Sequence, residues 1–360
     1  MRVVVIGGGY GGLASAARLA KLGHQVAVVE AADRLGGALL PIDGWDVVGP
    51  TLLPAPMRDL FRKSGRPIER ELELEPVPII REHRFEDRTT VRLPGESRAA
   101  QIEAFDQLKP GLGEAWAKHV EGYAEVWELL RQHLFEARTS ELPRDVVRLL
   151  GDRETLARRA RHEFKDPRQR LVALAPFEIA GHNPRDVPWW AGVSAYLEQR
   201  FGAWRVVGGP AALADLAAHS MPAIPPTIML LELDDPPPLD TDVVLHGDPL
   251  FLIRPQGPKW TVIIRGALME DIDMALLRRK VDIRNKIIDQ VQLSPATLVG
   301  RWGGSPLGAV WQGRGSMRDR IGPRTPIEGV YAAGAHSISG DGLPFVGLSS
   351  ALVAQAVGPA

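Results

Sequence analysis

The sequence contains no cysteine among its 360 residues. Disulfides, thiolate zinc sites, iron–sulfur clusters and a cysteine nucleophile are therefore excluded. Long apolar runs are also missing: no stretch of about 18 apolar residues occurs, which argues against a transmembrane helix. The apolar stretch at the N-terminus is short and runs directly into glycines, unlike a signal peptide. We therefore expect a cytoplasmic protein.

An excess of charge of either sign is absent as well. Lys and Arg together number 43 and Asp and Glu 44, which gives a formal net charge of −1. Such a balance predicts no nucleic-acid partner. The nine histidines form no H-x-x-x-H pair, so we expect no metal site. With 45% hydrophobic residues, the chain is long enough for one large domain or two intertwined ones.

The first thirty residues predict a strand, a helix and a second strand. Residues 2–6 are a short apolar run, residues 10–22 have apolar positions at helical spacing, and residues 25–30 are a second apolar run. Short apolar runs of this kind are typical of buried parallel strands. The chain therefore opens as a β-α-β unit.

A glycine motif lies between the first strand and the helix. Gly7, Gly9 and Gly12 form G-x-G-x-x-G, with Gly11 inside it. In this context Gly7 permits a tight turn, Gly9 lets a pyrophosphate approach the backbone, and Gly12 lets the helix pack close to the strand. The N–H groups at the start of the helix then face the phosphate charge. The motif predicts a dinucleotide site.

The residues after the second strand favour FAD over NAD. Glu30 ends that strand where an acid binds ribose hydroxyls and repels a 2′-phosphate, and Ala31 follows it in the same site. Arg34 adds a cation near the pyrophosphate, and Gly36 and Gly37 leave room beside it. A plain NAD dehydrogenase has no need of this extension.

The rest of the chain alternates between strand and helix patterns. The proline-rich stretch 222–240 predicts a connector that is neither a central strand nor a helix. The predicted strands are a hairpin at 77–84 and 89–93, followed by strands at 242–246, 259–265 and 330–333. The predicted helices lie at 142–165, with a second start at Asp152 and Glu154, at 211–219, at 273–291 and from about 346. One long amphipathic helix face is also predicted, formed by Trp116, Val120, Tyr123, Trp127, Leu130 and Leu134.

These motifs resemble the FAD-dependent oxidoreductases of the phytoene desaturase and amine oxidase superfamily. The resemblance is carried by Gly7–Gly37, by Gly49-Pro50-Thr51, by Gly202–Gly209, and by Gly329–Leu352 with its Gly340-Asp-Gly-Leu-Pro344. Ala335 stands where many members carry an acid, which is closer to the desaturase branch.

The resemblance implies an α/β fold: a Rossmann-like FAD-binding domain of the GR2 type with an inserted α+β substrate domain. The stretch between 219 and 242 is too short for the strands the family places there, one of which contacts adenine; Ile228–Leu231 is a candidate remnant. The expected boundaries are 1–75, 205–250 and 320–360 for the FAD-binding domain, and 76–204 and 251–319 for the substrate domain.

The resemblance also implies that the C-terminal motif contacts the flavin. Gly334, Leu343 and Pro344 belong to a turn and helix start that can stabilise negative charge on the reduced ring. His336 either faces the flavin or bonds to backbone, and Asp341 either binds FAD hydroxyls or shapes the turn.

Catalytic residues are not fixed by the sequence. Besides His336, the candidates are Trp204 and Trp302 as pocket walls, although core packing is the more common role for a tryptophan. Trp189, Trp190 and Trp260 are further candidate walls, and we expect at least one tryptophan to line an apolar pocket.

The predicted reaction is dehydrogenation of a largely apolar small molecule, with hydride transfer to flavin N5. Three alternatives stay open: oxidation of a C–N bond, a flavin-dependent isomerase without net redox chemistry, and a lipid-binding relative. The electron acceptor, oxygen or quinone, is also open. The basic run from Arg158 to Arg170 favours a solvated helix face over contact with an anionic membrane.

Overall fold

The structure is a computed structural model that describes residues 1–65, 67–135, 142–207, 224–302, 307–308, 320, 322–325 and 327–360. The strands are β1 (Arg2–Ile6), β2 (Gln25–Val29), β3 (Thr51–Leu52), β4 (Leu74–Val77), β5 (Ile79–Arg84), β6 (Thr90–Pro94), β7 (Ala203–Val206), β8 (Thr227–Leu233), β9 (Val243–Leu245), β10 (Leu250–Gln256), β11 (Lys259–Arg265) and β12 (Ile287–Leu293). The helices are α1 (Tyr10–Lys21), α2 (Ala55–Ser64), α3 (Arg98–Leu108), α4 (Leu112–Glu121), α5 (Ala124–Leu130), α6 (Arg144–Leu150), α7 (Leu156–Glu163), α8 (Pro167–Ile179), α9 (Val193–Phe201), α10 (Ile272–Arg278), α11 (Pro295–Trp302) and α12 (Leu343–Val357).

The chain opens with the predicted β-α-β unit. Strands β1 and β2 are parallel, with Arg2 opposite Gln25 and Ile6 opposite Val29. Helix α1 connects them and packs against the C-terminal helix α12. Parallel neighbours need such a crossover connection, which the helix supplies. The predicted β-α-β unit is confirmed, but the predicted burial of its two strands is wrong, because no residue of β1 or β2 is buried.

A seven-stranded sheet forms the centre of the molecule, in the order β12-β8-β11-β10-β9-β5-β6. Its neighbours are antiparallel except for β5 and β9, which run parallel. Along β8, Met229 and Leu231 pack into the core on one face, whereas Ile228 and Leu230 pack into the core on the other. Successive strand residues point to opposite faces, so this sheet is covered on both sides.

The predicted connector at 222–240 is wrong, because β8 lies inside it between β12 and β11. Prolines flank the strand, at Pro226 on one side and Pro236 on the other, and leave seven residues free to pair. The candidate remnant strand Ile228–Leu231 is confirmed as part of β8.

The strands depart from the predicted domain boundary. The interval 205–250 contains β8 and β9, and both are hydrogen-bonded into the seven-stranded sheet rather than beside β1 and β2. Strand β7 instead joins the N-terminal part of the chain, because it pairs antiparallel with β3 and β4. The predicted short helix at 211–219 lies outside the described residues.

The predicted helix at 273–291 is correct only in its first part. Helix α10 ends at Arg278, and β12 then pairs with β8. Lys280 and Asn285 both adopt the left-handed conformation, with φ of 65° and 59°. Such residues interrupt a right-handed helix. The predicted hairpin is confirmed as β5 and β6.

Helices pack on both faces of this sheet: α10 contributes to the core on one face, and α8 and α11 to the core on the other. The predicted apolar face from Trp116 to Leu134 is buried, but it is divided among α4, α5 and a π-helical turn at Arg131–Phe135. The next helices were predicted to restart at Asp152 and Glu154; α7 is instead capped by Thr155, whose side chain accepts from the N–H of Arg158.

The basic run contains cations with partners inside the protein. The Arg159 guanidinium lies 3.9 Å from the Trp189 ring centre, and Arg168 pairs with Asp166 at 2.7 Å.

In the C-terminal tail, the predicted strand at 330–333 is reduced to a single bridge between Arg324 and Tyr331, whereas α12 begins three residues before the predicted position. Within the described ranges, no helix is both long and apolar enough to cross a membrane.

Candidate functional site

The glycine motif forms the turn from β1 into α1. Gly7 has a φ of +97°, a conformation that favours glycine. A Cβ on Gly12 would lie 2.0 Å from the Gly7 carbonyl oxygen, so the helix can pack this close to the strand only with glycine there. Gly9 is the N-cap of α1 and supplies no side-chain hydrogen bond. The first N–H groups of α1 therefore have no side-chain cap and can donate hydrogen bonds to a bound anion.

Glu30 reaches from the end of β2 to this turn. Its Oε2 atom accepts from the N–H of Gly8 at 2.5 Å, and its Oε1 atom accepts from the N–H of Ala32 at 2.9 Å. Ala31 lies exposed between them. The predicted acid is thus beside the glycine turn, where it can bind hydroxyl groups of a nucleotide ribose.

The segment after Glu30 folds back over the same turn. The N–H of Gly36 donates to the Gly8 carbonyl at 2.9 Å, and a Cβ on Gly8 would lie 2.2 Å from a Leu35 methyl group. Gly36 and Gly37 have positive φ angles of 128° and 53°. Arg34 is exposed.

The C-terminal glycine motif lies against the start of α1. A Cβ on Gly11 would lie 3.1 Å from both the nitrogen and the Cα of Gly334. Gly334 has a φ of +127°, and its N–H donates to the Ser349 hydroxyl of α12 at 2.9 Å. The fold therefore brings the two glycine motifs, far apart in sequence, into contact.

Helix α12 begins beside this contact without a side-chain cap. Its N-cap is Gly342, and Leu343 and Pro344 form its first turn. Proline suits this position because its missing N–H would have no helical partner there. His336 is buried in the preceding turn, at 5% exposure.

An apolar cavity of about 200 Å³ lies next to the C-terminal motif. The helical layer supplies most of its wall, and the turn before α12 closes one end. Its lining consists of Leu52, Leu130, Leu134, Phe135, Pro176, Phe177, Ala180, His182, Trp190, Ala191, Val193, Ser194, Leu197, Arg320, Ile338, Ser339, Gly340, Asp341 and Phe345. The predominance of aliphatic and aromatic side chains suits an apolar ligand.

The tryptophan that lines this cavity is Trp190, one of the candidate walls; that it walls a substrate pocket stays a prediction. Neither Trp204 nor Trp302 lines it. Trp204 is in β7, where its indole N–H donates to the Phe201 carbonyl and Arg58 lies over its ring. Trp302 packs against the core on one face of the central sheet, and Met229 of β8 belongs to the core on the opposite face. Their predicted role as walls of a substrate pocket stays a prediction.

Polar groups are concentrated at the end of the cavity that contains Asp341. Burial raises the pKa of the Asp341 carboxyl, and the Arg320 charge opposes this shift. Burial lowers the pKa of His182 to about 4, with the charges of Arg320 and Arg265 acting in the same direction. Asp341 therefore holds its proton to higher pH than an exposed aspartate, and His182 is neutral near pH 7.

His182 and Arg320 were not predicted from the sequence. His182 follows α8, and Arg320 lies far along the chain, so no local motif joins them to Asp341. Within the part of the chain that the structure describes, no group of three or more His, Cys, Asp or Glu side chains could hold a metal ion.

The comparisons with known proteins agree with this geometry. The family model described as "NAD(P)-binding Rossmann-like domain" matches residues 5–48. The chain is 30% identical over 229 residues to phytoene desaturase (neurosporene-forming) of Cereibacter sphaeroides, covering 59% of this chain and 43% of that protein. It is 26% identical over 226 residues to a 4,4′-diapophytoene desaturase of Staphylococcus aureus, with 58% and 44% coverage.

Solved structures match over nearly the whole chain. A putrescine oxidase variant superposes with a TM-score of 0.62 and 14% identity, covering 99% of this chain and 98% of that one. An oxidoreductase from Methanosarcina mazei gives 0.57 and 16%, with coverage of 98% and 99%.

The fold is thus the α/β fold of the solved putrescine oxidase, and residues 5–48 match a Rossmann-like dinucleotide-binding unit. The resemblance to the phytoene desaturase and amine oxidase superfamily is confirmed. The regions of sequence similarity span less than half the length of each curated desaturase named above.

Proposed function

We propose that this chain is an FAD-dependent oxidoreductase that removes hydrogen from a largely apolar small molecule. The observation that carries the proposal is the contact between Gly11 and Gly334, which brings the dinucleotide turn next to the motif that borders the apolar cavity. The sequence relatives named as carotenoid desaturases support an apolar substrate and a C–C bond as the target.

The residues fit FAD in three respects. The uncapped start of α1 would hold the pyrophosphate, and Glu30 would bind the ribose hydroxyls. The positive end of α12 would stabilise negative charge at the other end of the cofactor. FAD, when bound, supplies the hydride acceptor for the oxidation.

The chain's own residues would orient the substrate and exclude water. Phe135, Trp190 and Phe345 give the cavity apolar walls that bind by burial of apolar area. The Asp341 carboxyl, whose pKa is raised by burial, is a polar group at this end of the cavity, and Arg320 supplies positive charge beside it. The electron acceptor, oxygen or a quinone, depends on access to the flavin from outside.

The test is anaerobic reduction of the flavin by polyprenoid hydrocarbons and, separately, by aliphatic amines. We expect the hydrocarbons to bleach the flavin. Reduction by amines alone would instead support the C–N alternative, which the putrescine oxidase fold favours. Reduction by neither class would contradict the redox proposal and leave an isomerase or a lipid-binding protein.

A variant within the cavity ties this activity to the proposed site. Ser194 lines the cavity and is partly exposed. Ser194→Phe would fill much of the space, so flavin reduction by substrate should slow by about tenfold or more while FAD content stays unchanged. Ser194→Ala leaves the space open and is the matched control. Equal rates for the two variants would place the substrate elsewhere.

A further inference from the structure

A second cleft lies at the edge of the seven-stranded sheet and shares no lining residue with the apolar cavity. It has a volume of about 450 Å³ and lies where β5, β9 and α10 end. Five cations line it, namely Arg84, Arg88, Arg278, Arg279 and Lys280, against two carboxylates, Glu82 and Glu86. The lining therefore carries an excess of three positive charges. We refer to it as the cationic cleft.

Three of these cations are held by the protein. Arg84 pairs with Glu82 at 2.6 Å, and Arg278 pairs with Glu270 at 2.8 Å. Arg279 donates to the carbonyl oxygens of His246 and Asp248. A Cβ on Gly247 would lie 2.1 Å from the Arg279 guanidinium, so glycine is required for that guanidinium to lie against the backbone.

Arg88 and Lys280 are exposed and form no hydrogen bond or ion pair through their side chains with the described residues. Both have left-handed backbones, with φ of 66° and 65°. Glycine or asparagine is the usual choice for such positions. Two unpaired cations therefore occupy strained positions on opposite sides of one cleft.

Hydrogen bonds and an ion pair hold the turn that carries Arg88 in place. The N–H of Arg88 donates to the Phe85 carbonyl, and the N–H of Thr89 donates to Asp87. Asp87 also pairs with Arg168 of α8 at 3.2 Å. The position of Arg88 at the cleft is therefore fixed by the fold rather than by a loose loop.

Interaction with the helix end accounts for only part of this arrangement. Arg279 and Lys280 follow the last turn of α10, where cations offset the helix dipole. Arg84 and Arg88 come from the hairpin instead, nearly two hundred residues earlier, and add positive charge across the same cleft. Like charges that converge without an anion repel each other.

We propose that the cationic cleft binds a compact polyanion of the diphosphate class. Guanidinium groups match phosphate oxygens in pairs, and lysine adds a point charge. The volume lies within the range of about 300–1,000 Å³ that small-molecule sites occupy. The floor is neutral and polar: His246 is buried between His83 and Phe85, and burial lowers its pKa to about 4.

The experiment is calorimetric titration of the FAD-saturated protein with inorganic pyrophosphate. We expect saturable binding that weakens as salt is raised. The double variant Arg88→Gln/Lys280→Gln should bind at least about tenfold more weakly, since it removes two charged contacts to the anion. The control Arg185→Gln removes an exposed cation outside the cleft and should bind like the parent protein.

Two further arms identify the source of the anion and separate this proposal from the preceding one. Flotation with phosphatidylcholine vesicles, with and without phosphatidic acid, tests for a lipid headgroup; loss of vesicle binding in the double variant would assign the cleft to that source. Without FAD, the glycine turn at α1 adds a second pyrophosphate site that the double variant retains. No saturable binding by the parent protein in either assay, or binding unchanged in the double variant, would overturn the proposal.

Discussion

At the scale of single residues, the account depends most on Gly12. The Gly7 carbonyl oxygen would lie 2.0 Å from a Cβ at this position. Gly12→Ala must therefore push α1 away from β1 and move the N–H groups that face the pyrophosphate. We expect FAD affinity to fall by about tenfold or more, and stability to fall by about 1–3 kcal/mol as in other overpacked sites. Fluorescence titration with FAD and urea unfolding measure the two effects.

The matched control for this substitution is Gly300→Ala in α11. A Cβ at Gly300 meets nothing within 4 Å, and its backbone is not in the positive-φ region. This change should stabilise the protein by about 0.5–1 kcal/mol, because glycine is unfavourable inside a helix. Equal FAD affinity for Gly12→Ala and Gly300→Ala would contradict the placement of the pyrophosphate.

His182 gives a pH-dependent prediction at the same scale. Its pKa falls from 6.5 to about 4 on folding, mainly because it is buried. Between these values the unfolded chain binds a proton that the folded chain does not, so this group's contribution to stability is lost as pH falls from about 6.5 to 4. His182→Gln should make the free energy of unfolding depend less steeply on pH in this window. Parallel curves for the two proteins in urea unfolding would contradict the burial of a neutral imidazole.

The residues of the cofactor turn could be predicted because their interactions are local in sequence. Gly7, Gly12 and Glu30 belong to one β-α-β unit. Gly7 and Gly12 have the tight turn and the close packing that their positions predict, and Glu30 lies beside the same turn. His182 and Arg320 could not be predicted, because they meet only through the packing of distant elements. Which of the candidate tryptophans lines the cavity could not be predicted for the same reason: Trp190 does so, whereas Trp204 lies in β7.

At the scale of elements, a buried ion pair ties the sheet to the helical layer. Arg81 of β5 donates to both carboxylate oxygens of Glu198 in α9, at 2.6 and 2.7 Å, with side-chain exposures of 15% and 6%. Arg81→Leu leaves the carboxylate buried without this partner and should cost about 3–5 kcal/mol of unfolding free energy.

Replacing both members of the pair is the informative comparison. Arg81→Leu with Glu198→Leu should recover most of the lost stability, because no buried charge is left alone. The exposed pair of Arg284 and Asp282 is the control, and Arg284→Leu should leave the stability almost unchanged, because water screens this pair. Thermal unfolding measures all three. A double variant that is no more stable than Arg81→Leu would contradict the assignment of a charge penalty.

Strands and helices could be predicted where the sequence pattern was local. The predictions failed where pairing with a distant strand set the conformation. Strand β11 matches its predicted range, since its apolar run has no competing signal. Strand β8 is longer and more central than the predicted remnant Ile228–Leu231, because the flanking prolines that predict a connector lie outside the paired residues. The residues of β12 were read as helix; their conformation is set by pairing with β8.

At the scale of the whole molecule, the dinucleotide unit has a small sheet. In the described residues, β1 pairs only with β2, and Val4, Ile6 and Val29 are more than half exposed at 62%, 83% and 54%. The large sheet, in contrast, has seven strands and cores on both faces. Cofactor binding is therefore the step on which the proposed function most depends.

The most direct test is a visible absorption spectrum of the purified protein, followed by denaturation and identification of any released cofactor. The account predicts a flavin spectrum and released FAD, either as isolated or after reconstitution. Because FAD binds only the folded state, it should also raise the thermal unfolding temperature. A colourless protein that FAD neither binds nor stabilises would contradict the assignment of the glycine turn and Glu30 to this cofactor.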